Sequence, residues 1–249
     1  MGIMAQLVRE SQMINEEQWK RAQTAEAANW ADSGRNAWRL LHELTEHSEI
    51  AKNLLLYLEG KKKTRALEVG IGPLGIGFLA VHMAPYISKI VAIEPLPILG
   101  IDLDDKALEN YAKTLQSRVE VVHARGEKVP FPDESFDVTC CINVIDHAQA
   151  PDKILAEICR VTKAGGIFIF GVSTLSLLGR LKWRLLRAKK PNAFLFVAHP
   201  HIYGWKQICK KFIAAGGWSM VWENRPSVLR RIAGHSLMSF WVLERARLT

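Results

Sequence analysis

Four glycines within eight residues, at positions 70, 72, 75 and 77, mark the point where an apolar run gives way to a helical pattern. The stretch Glu68-Val-Gly70-Ile-Gly72-Pro-Leu-Gly75-Ile-Gly77 follows the strand candidate Ala66–Val69 and opens the helix candidate Ile76–Met83. Side chains at such glycines would hold the backbone away from a ligand, and the helix start offers unpaired N–H groups. Gly70, Gly72 and Gly75 satisfy the GxGxxG spacing. A strand–turn–helix of this kind belongs at the carboxyl edge of a parallel sheet.

The rest of the chain agrees with such a sheet. Further strands are expected at Lys89–Glu94, Val119–His123, Phe136–Ile142 and Gly166–Val172. Helices are expected between them at Asp104–Leu115 and Asp152–Val161. Alternation of this kind predicts βαβ units and a parallel sheet covered on both faces. Residues 1–60 read as an N-terminal helical cap, from Trp19, Ala22, Ala27, Trp30 and then Ile50, Leu54, Leu55, Leu58 at helical spacing, broken at Asp32–Gly34. Residues 61–176 read as the cofactor-binding core, entered through the polar linker Gly60–Lys63. Residues 177–249 read as a continuation of the same domain: a basic helix (Leu177–Lys190), a last helix (Lys206–Ala215) and a closing β-hairpin (Trp218–Glu223, Leu237–Leu243).

The 249 residues carry a formal charge of +8, but the excess is confined to one end. Residues 177–249 hold 14 Lys and Arg against 2 Asp and Glu, whereas residues 1–60 hold 6 against 9. That asymmetry suggests an anionic partner for the last third. No apolar run approaches the roughly 20 residues of a membrane span. Met1–Glu10 lacks an apolar leader core. Cys140, Cys141, Cys159 and Cys209 show no CxxC spacing and suit reduced thiols, so a cytoplasmic location is expected.

Glu94 ends the second strand, 24 residues after Gly70, where a carboxylate can accept both hydroxyls of a ribose. Asp102 is the rival. Glu68 points to the kind of nucleoside cofactor. Beside a pyrophosphate a carboxylate is repelled, whereas beside a sulfonium or an amino group it is attracted. This disfavours a dehydrogenase.

Three further motifs stand in order. Val129-Pro-Phe-Pro-Asp-Glu-Ser-Phe-Asp137 leads into the fourth strand, Cys141-Ile-Asn-Val-Ile-Asp-His147 leaves it, and Ile154-Leu-Ala-Glu-Ile-Cys-Arg-Val-Thr-Lys-Ala-Gly-Gly166 follows. With the glycine turn they resemble the class I S-adenosylmethionine-dependent methyltransferases, in the branch with "LPFPDxSFD", "NVLEH" and "LxExxRVLKPGG" signatures. The resemblance spans about residues 64–174. It implies a Rossmann-like α/β fold with a seven-stranded, mostly parallel sheet and a reversed last strand. It implies S-adenosyl-L-methionine as cofactor, with Glu68, Gly70 and Gly72 along its methionine part and Gly75 in a loop lengthened by Pro73-Leu74. It places Glu94 on the ribose, Gly126 and Glu127 beside the adenine, and Asn143 and Val144 at the pocket wall. Arg125 stands where the branch carries an acid, and arginine cannot accept a hydrogen bond. The segment Glu17-Gln-Trp-Lys-Arg-Ala-Gln23 with Glu26 and Trp30 is similar to methyltransferases found with polysaccharide-assembly genes.

Methyl transfer to a hydroxyl benefits from a general base. His147 is the first candidate, with packing or capping as its other reading. His199, His201 and Tyr203 are candidates for holding or deprotonating an acceptor. No third ligand beside the two histidines is evident, so no metal is expected. Leu177–Lys190 suits a lid, a membrane-surface helix or a nucleic-acid grip, in that order. The resulting expectation is methyl transfer to a hydroxyl of a small-molecule, sugar or lipid-linked acceptor, with residues 177–190 facing an anionic membrane surface as one expected partner. A non-catalytic binding protein of the same fold is the alternative, as is an RNA or protein methyltransferase. Nucleic acid is disfavoured by the absence of an Asn-Pro-Pro-Tyr-type motif after the fourth strand.

Overall fold

A computed structural model describes residues 13–58, 63–213, 217–224 and 237–246. Expectations for Met1–Glu10, most of the Gly60–Lys63 linker and the Gly216 turn lie outside the described residues. Three helices come first: α1 (Glu16–Trp30), α2 (Ala37–Thr45) and α3 (Ser48–Leu58). Asn15 caps α1 through a capping box, accepting from the Gln18 N–H, and Asn36 caps α2 by accepting from the Arg39 N–H. The break at residues 32–34 falls where expected. A second break, at His47 in the left-handed region (φ 68°), separates α2 from α3.

The α/β core follows: β1 (Lys63–Val69), β2 (Ile87–Ile93), α4 (Lys106–Gln116), β3 (Val119–Val122), β4 (Phe136–Ile142), α5 (Pro151–Val161) and β5 (Thr162–Thr174). The chain closes with α6 (Leu177–Lys189), α7 (Phe194–Ala198), α8 (Trp205–Ile208), β6 (Trp218–Asn224) and β7 (Leu237–Arg245). The sheet has seven strands in the order β3-β2-β1-β4-β5-β7-β6. β1 to β5 run parallel, and β7 runs antiparallel to both β5 and β6. This is the expected architecture, reversed last strand included. Two helical expectations shift in kind. The turn after the glycines is π-helical over Leu79–Met83, and α8 passes into a second π-helical turn at Cys209–Ile213.

The sheet core divides by the period of the strands. Leu67, Cys141, Phe168, Phe170 and Trp241 pack on one face, whereas Ala66, Cys140, Ile167, Ile169 and Val242 pack on the other. Trp241 and Phe136 are fully buried, and truncating either to Ala removes about 3–5 kcal/mol. A smaller third cluster joins the cap to the glycine turn through Leu40, Leu74, Ile76 and Leu115.

Candidate active site

A cavity of about 650 Å³ opens at the carboxyl edge of the sheet, within the roughly 300–1,000 Å³ usual for small-molecule sites. Its floor is the turn after β1. Gly70 has φ +74° and donates to the Ile93 carbonyl at 2.8 Å. A Cβ there would overlap the Val144 side chain. Glycine is therefore required twice over, by conformation and by space.

Glu94 lines the cavity at the end of β2 and is buried. Its Oε2 accepts from the Gly72 N–H at 2.8 Å and its Oε1 from the Leu96 N–H at 2.9 Å. Each oxygen keeps one lone pair for a hydroxyl. Burial raises its pKa, against those two hydrogen bonds. Asp102 is exposed and near Lys106, so the two carboxylates part company in space. Glu68 also lines the cavity, but both its oxygens accept backbone N–H groups, from Phe78 (2.8 Å) and Leu79 (2.9 Å). It anchors the turn as well as facing the ligand space. Burial pushes its pKa up to about 7, against those two bonds. Asn143 and Val144 form the wall after β4, with Asn143 in the left-handed conformation (φ 55°) that asparagine tolerates.

Three expected cofactor residues fall outside the cavity lining. Gly75 turns the loop behind it, donating to the Gly72 carbonyl. Gly126 is a packing glycine, since a Cβ would come within 2.8 Å of Val69 Cγ1. Glu127 Oε1 accepts from the Gln149 and Ala150 N–H groups ahead of α5. The departure at Arg125 acquires a cause here. Its guanidinium lies 3.5 Å from the Trp19 ring centroid and pairs with Glu16 at 2.6 Å, clasping α1 to the core. One face of α1 (Gln23, Glu26, Trp30) thereby roofs the cavity.

The acceptor candidates sort by what holds them. His201 Nε2 lies 2.8 Å from the Ala148 carbonyl, and the Tyr203 hydroxyl donates to the Ile145 carbonyl at 3.2 Å. A carbonyl can only accept, so His201 Nε2 carries the proton. Both rings touch the cavity, and each gives one donor to holding its loop. Both therefore anchor their loop at the cavity wall, where they remain within the lining. His199 differs. Its Nδ1 lies 2.9 Å from Oδ2 of buried Asp146. Burial raises the Asp146 carboxyl, but His147 and His199 outweigh it and hold it at about 2. An ionised carboxylate only accepts, so Nδ1 carries the proton and Nε2 is left with its lone pair. Burial lowers the His199 pKa, but the bond to Asp146 and its charge prevail, and the net shift is upward. His147, the expected base, spends Nδ1 on the Ala198 carbonyl at 2.9 Å. Its ring centroid lies 4.2 Å from that of His199, with the two planes tilted by 50°. Glu26, named in the sequence only within the α1 similarity and not as a site residue, joins them. Glu26, His147 and His199 each place one ligand-type atom within 4.8 Å of the others, a spacing that also suits a cation.

The comparisons with known proteins now bear on this geometry. Residues 67–170 match the family described as "Methyltransferase domain". Those residues are a class I S-adenosylmethionine-dependent methyltransferase domain. Over 111 residues the chain is 34% identical to an uncharacterized methyltransferase of Schizosaccharomyces pombe, covering 43% of this chain and 38% of that one. Over 122 residues it is 32% identical to the human thiol S-methyltransferase TMT1A, covering 49% and 48%. The chain thus spans less than half the length of these relatives. The fold of the methyltransferase domain and its cap is similar to 1,6-didemethyltoxoflavin-N1-methyltransferase of Burkholderia thailandensis. That structure has bound S-adenosylhomocysteine, a TM-score of 0.59 and 13% identity, with 94% of this chain and 92% of that one covered. S-Adenosylmethionine fits the methyltransferase domain's own residues: a buried carboxylate with two spare lone pairs, and a glycine turn that leaves the backbone bare.

Proposed function

We propose that the chain is an S-adenosylmethionine-dependent O-methyltransferase in which His199 takes the acceptor's hydroxyl proton. The observation that carries this reading is the Asp146–His199 pair, which opens on the same cavity as Glu94. When bound, S-adenosylmethionine supplies a sulfonium methyl and its own leaving group. Glu94 would accept hydrogen bonds from the ribose hydroxyls, and Glu68, Gly70 and Gly72 would shape the methionine end. Asn143 and Val144 close the wall, and α1 with α7 keeps water out. His199 Nε2 receives the proton, and Asp146 steadies the imidazolium that forms. His147 positions the ring of His199 by packing against it at a tilt.

A panel of hydroxyl, thiol and amine acceptors with methyl-labelled S-adenosylmethionine tests the reaction, and calorimetry with S-adenosylhomocysteine tests the cofactor. The expected result is micromolar binding abolished in Glu94→Ala, with transfer to a hydroxyl. His199→Gln should lower kcat roughly 10²–10⁴-fold with the ligand's Kd unchanged. Binding without transfer to any acceptor would favour a non-catalytic protein of this fold. Wild-type kcat in His199→Gln would remove the base from the proposal. The Glu26–His147–His199 spacing supports a second, cation-assisted reading. Activity that survives exhaustive dialysis against a chelator excludes it.

A further inference from the structure

Helix α6 is held to the body by one face and bares the other. Gly179 is buried on the held face. Arg187 donates to the Pro200 carbonyl at 3.0 Å, and Trp183 packs edge-on against Phe196 with ring centroids 5.0 Å apart. The opposite face carries Leu177, Leu178, Leu181 and Leu185, exposed by 75%, 63%, 54% and 58%. At about 100° per residue these four fall in one arc of roughly 100°. Four leucines on one helix are a patch, whereas scattered exposed leucines are ordinary.

The borders of that arc are positive. Lys182 and Lys189 flank one edge and Arg184 the other, all exposed, and Lys190 follows. Residues 177–190 hold six Lys and Arg and no acidic residue. A protein partner covering the leucines would have to match this unbroken positive rim with acids of its own. An anionic bilayer matches it without any specific geometry, since the leucines enter the acyl boundary and the bases meet the headgroups. The patch also continues toward the cavity. Phe194 and Leu195 are exposed and line it, and so does Trp183 on the inner face of α6.

We infer that α6 lies in the plane of an anionic membrane surface and turns the cavity mouth toward it, so that the acceptor is an amphipathic or lipid-linked hydroxyl compound drawn from the bilayer. The acceptor half rests on the methyl-transfer reading above; the docking half does not. No helix among the described residues is long and apolar enough to cross a membrane.

Flotation with vesicles of phosphatidylcholine and phosphatidylglycerol (about 7:3) against phosphatidylcholine alone tests docking. The full chain is compared with Leu181→Glu/Leu185→Glu and, separately, Lys182→Glu/Arg184→Glu. The expected result is binding to the anionic vesicles only, weakened at least tenfold in each double variant and by 0.5 M salt. S-Adenosylhomocysteine binding stays at the wild-type value in both variants, which shows that the domain is folded and keeps this test apart from that of the cofactor. A wild-type chain that stays unbound, or variants that bind like wild type, overturn the inference. So does a wild-type dimer in sedimentation that the leucine variant dissociates, because a second copy would then be the cover. If docking holds and methyl transfer to a lipid-linked acceptor is no faster on vesicles than in detergent, the acceptor half is overturned alone.

Discussion

His199 and Asp146 hold opposite charges over a definite range of pH. The folded pKa of Asp146 is depressed to about 2, so its contribution to stability is present above the ordinary carboxylate pKa and is lost toward pH 2. That of His199 is raised above 6.5, so its contribution is full below pH 6.5 and fades as pH climbs through the raised value. The pair is therefore strongest between about pH 4 and 6.5, while the base form of His199 is populated above that window. Rates should accordingly rise with pH along a limb centred above 6.5. Asp146→Asn removes the charge and should move that limb to lower pH while lowering kcat. A limb that stays in place in the variant would sever Asp146 from His199. Glu68 titrates in the opposite sense to Asp146. Its folded pKa of about 7 exceeds the ordinary 4.5, so the native state binds the proton more tightly and stability declines between those values. The decline amounts to about 3 kcal/mol. Urea midpoints of wild type and Glu68→Gln should converge or cross between pH 4.5 and 7.5, and parallel curves would refute the shift.

At the level of elements, the sequence was most legible where the signal is local. Strand period and the glycine turn each act within a few residues, and β1 to β5, α4 and α5 lie where their patterns put them. The π-helical turn at Leu79–Met83 read as ordinary helix because five residues are too few to separate the two periods. Contacts closed by the fold left no such trace. Asp146 and His199 are 53 positions apart, and Arg125 and Glu16 are 109 apart. His201 and Tyr203 look like site residues in sequence, but their partners are backbone carbonyls, which every residue has. Glu26 stands in the sequence only as part of a similar segment, and its place at the cavity emerges once α1 is laid across it. The Arg125 clasp decides how firmly α1 lies there. Arg125→Ala should speed release of S-adenosylhomocysteine severalfold in stopped flow, with little change in the urea midpoint, since the pair is exposed. A large loss of stability with unchanged release would make the clasp a matter of folding instead.

On the scale of the whole molecule, the chain's two ends meet over the middle. The core supplies the sheet and the cavity floor, while α1 and α7, nearly 180 residues apart in sequence, supply the roof. Methyltransferase character was readable from residues 64–174 alone because those motifs belong to the shared core. The acceptor was not, because part of the cavity lining comes from α1 and from residues 183–203, which lie outside those motifs. The sheet that unites them also sets a pair of sentinels. Cys140 and Cys141 are neighbours on β4, both fully buried, yet one belongs to each face of the sheet. Burial raises both thiol pKa values, so neither reacts while its own layer is closed. Adjacent in the chain but sealed by different helices, they divide the molecule's breathing into two separately countable events. Alkylation at one and not the other would tell which side of the sheet loosens first.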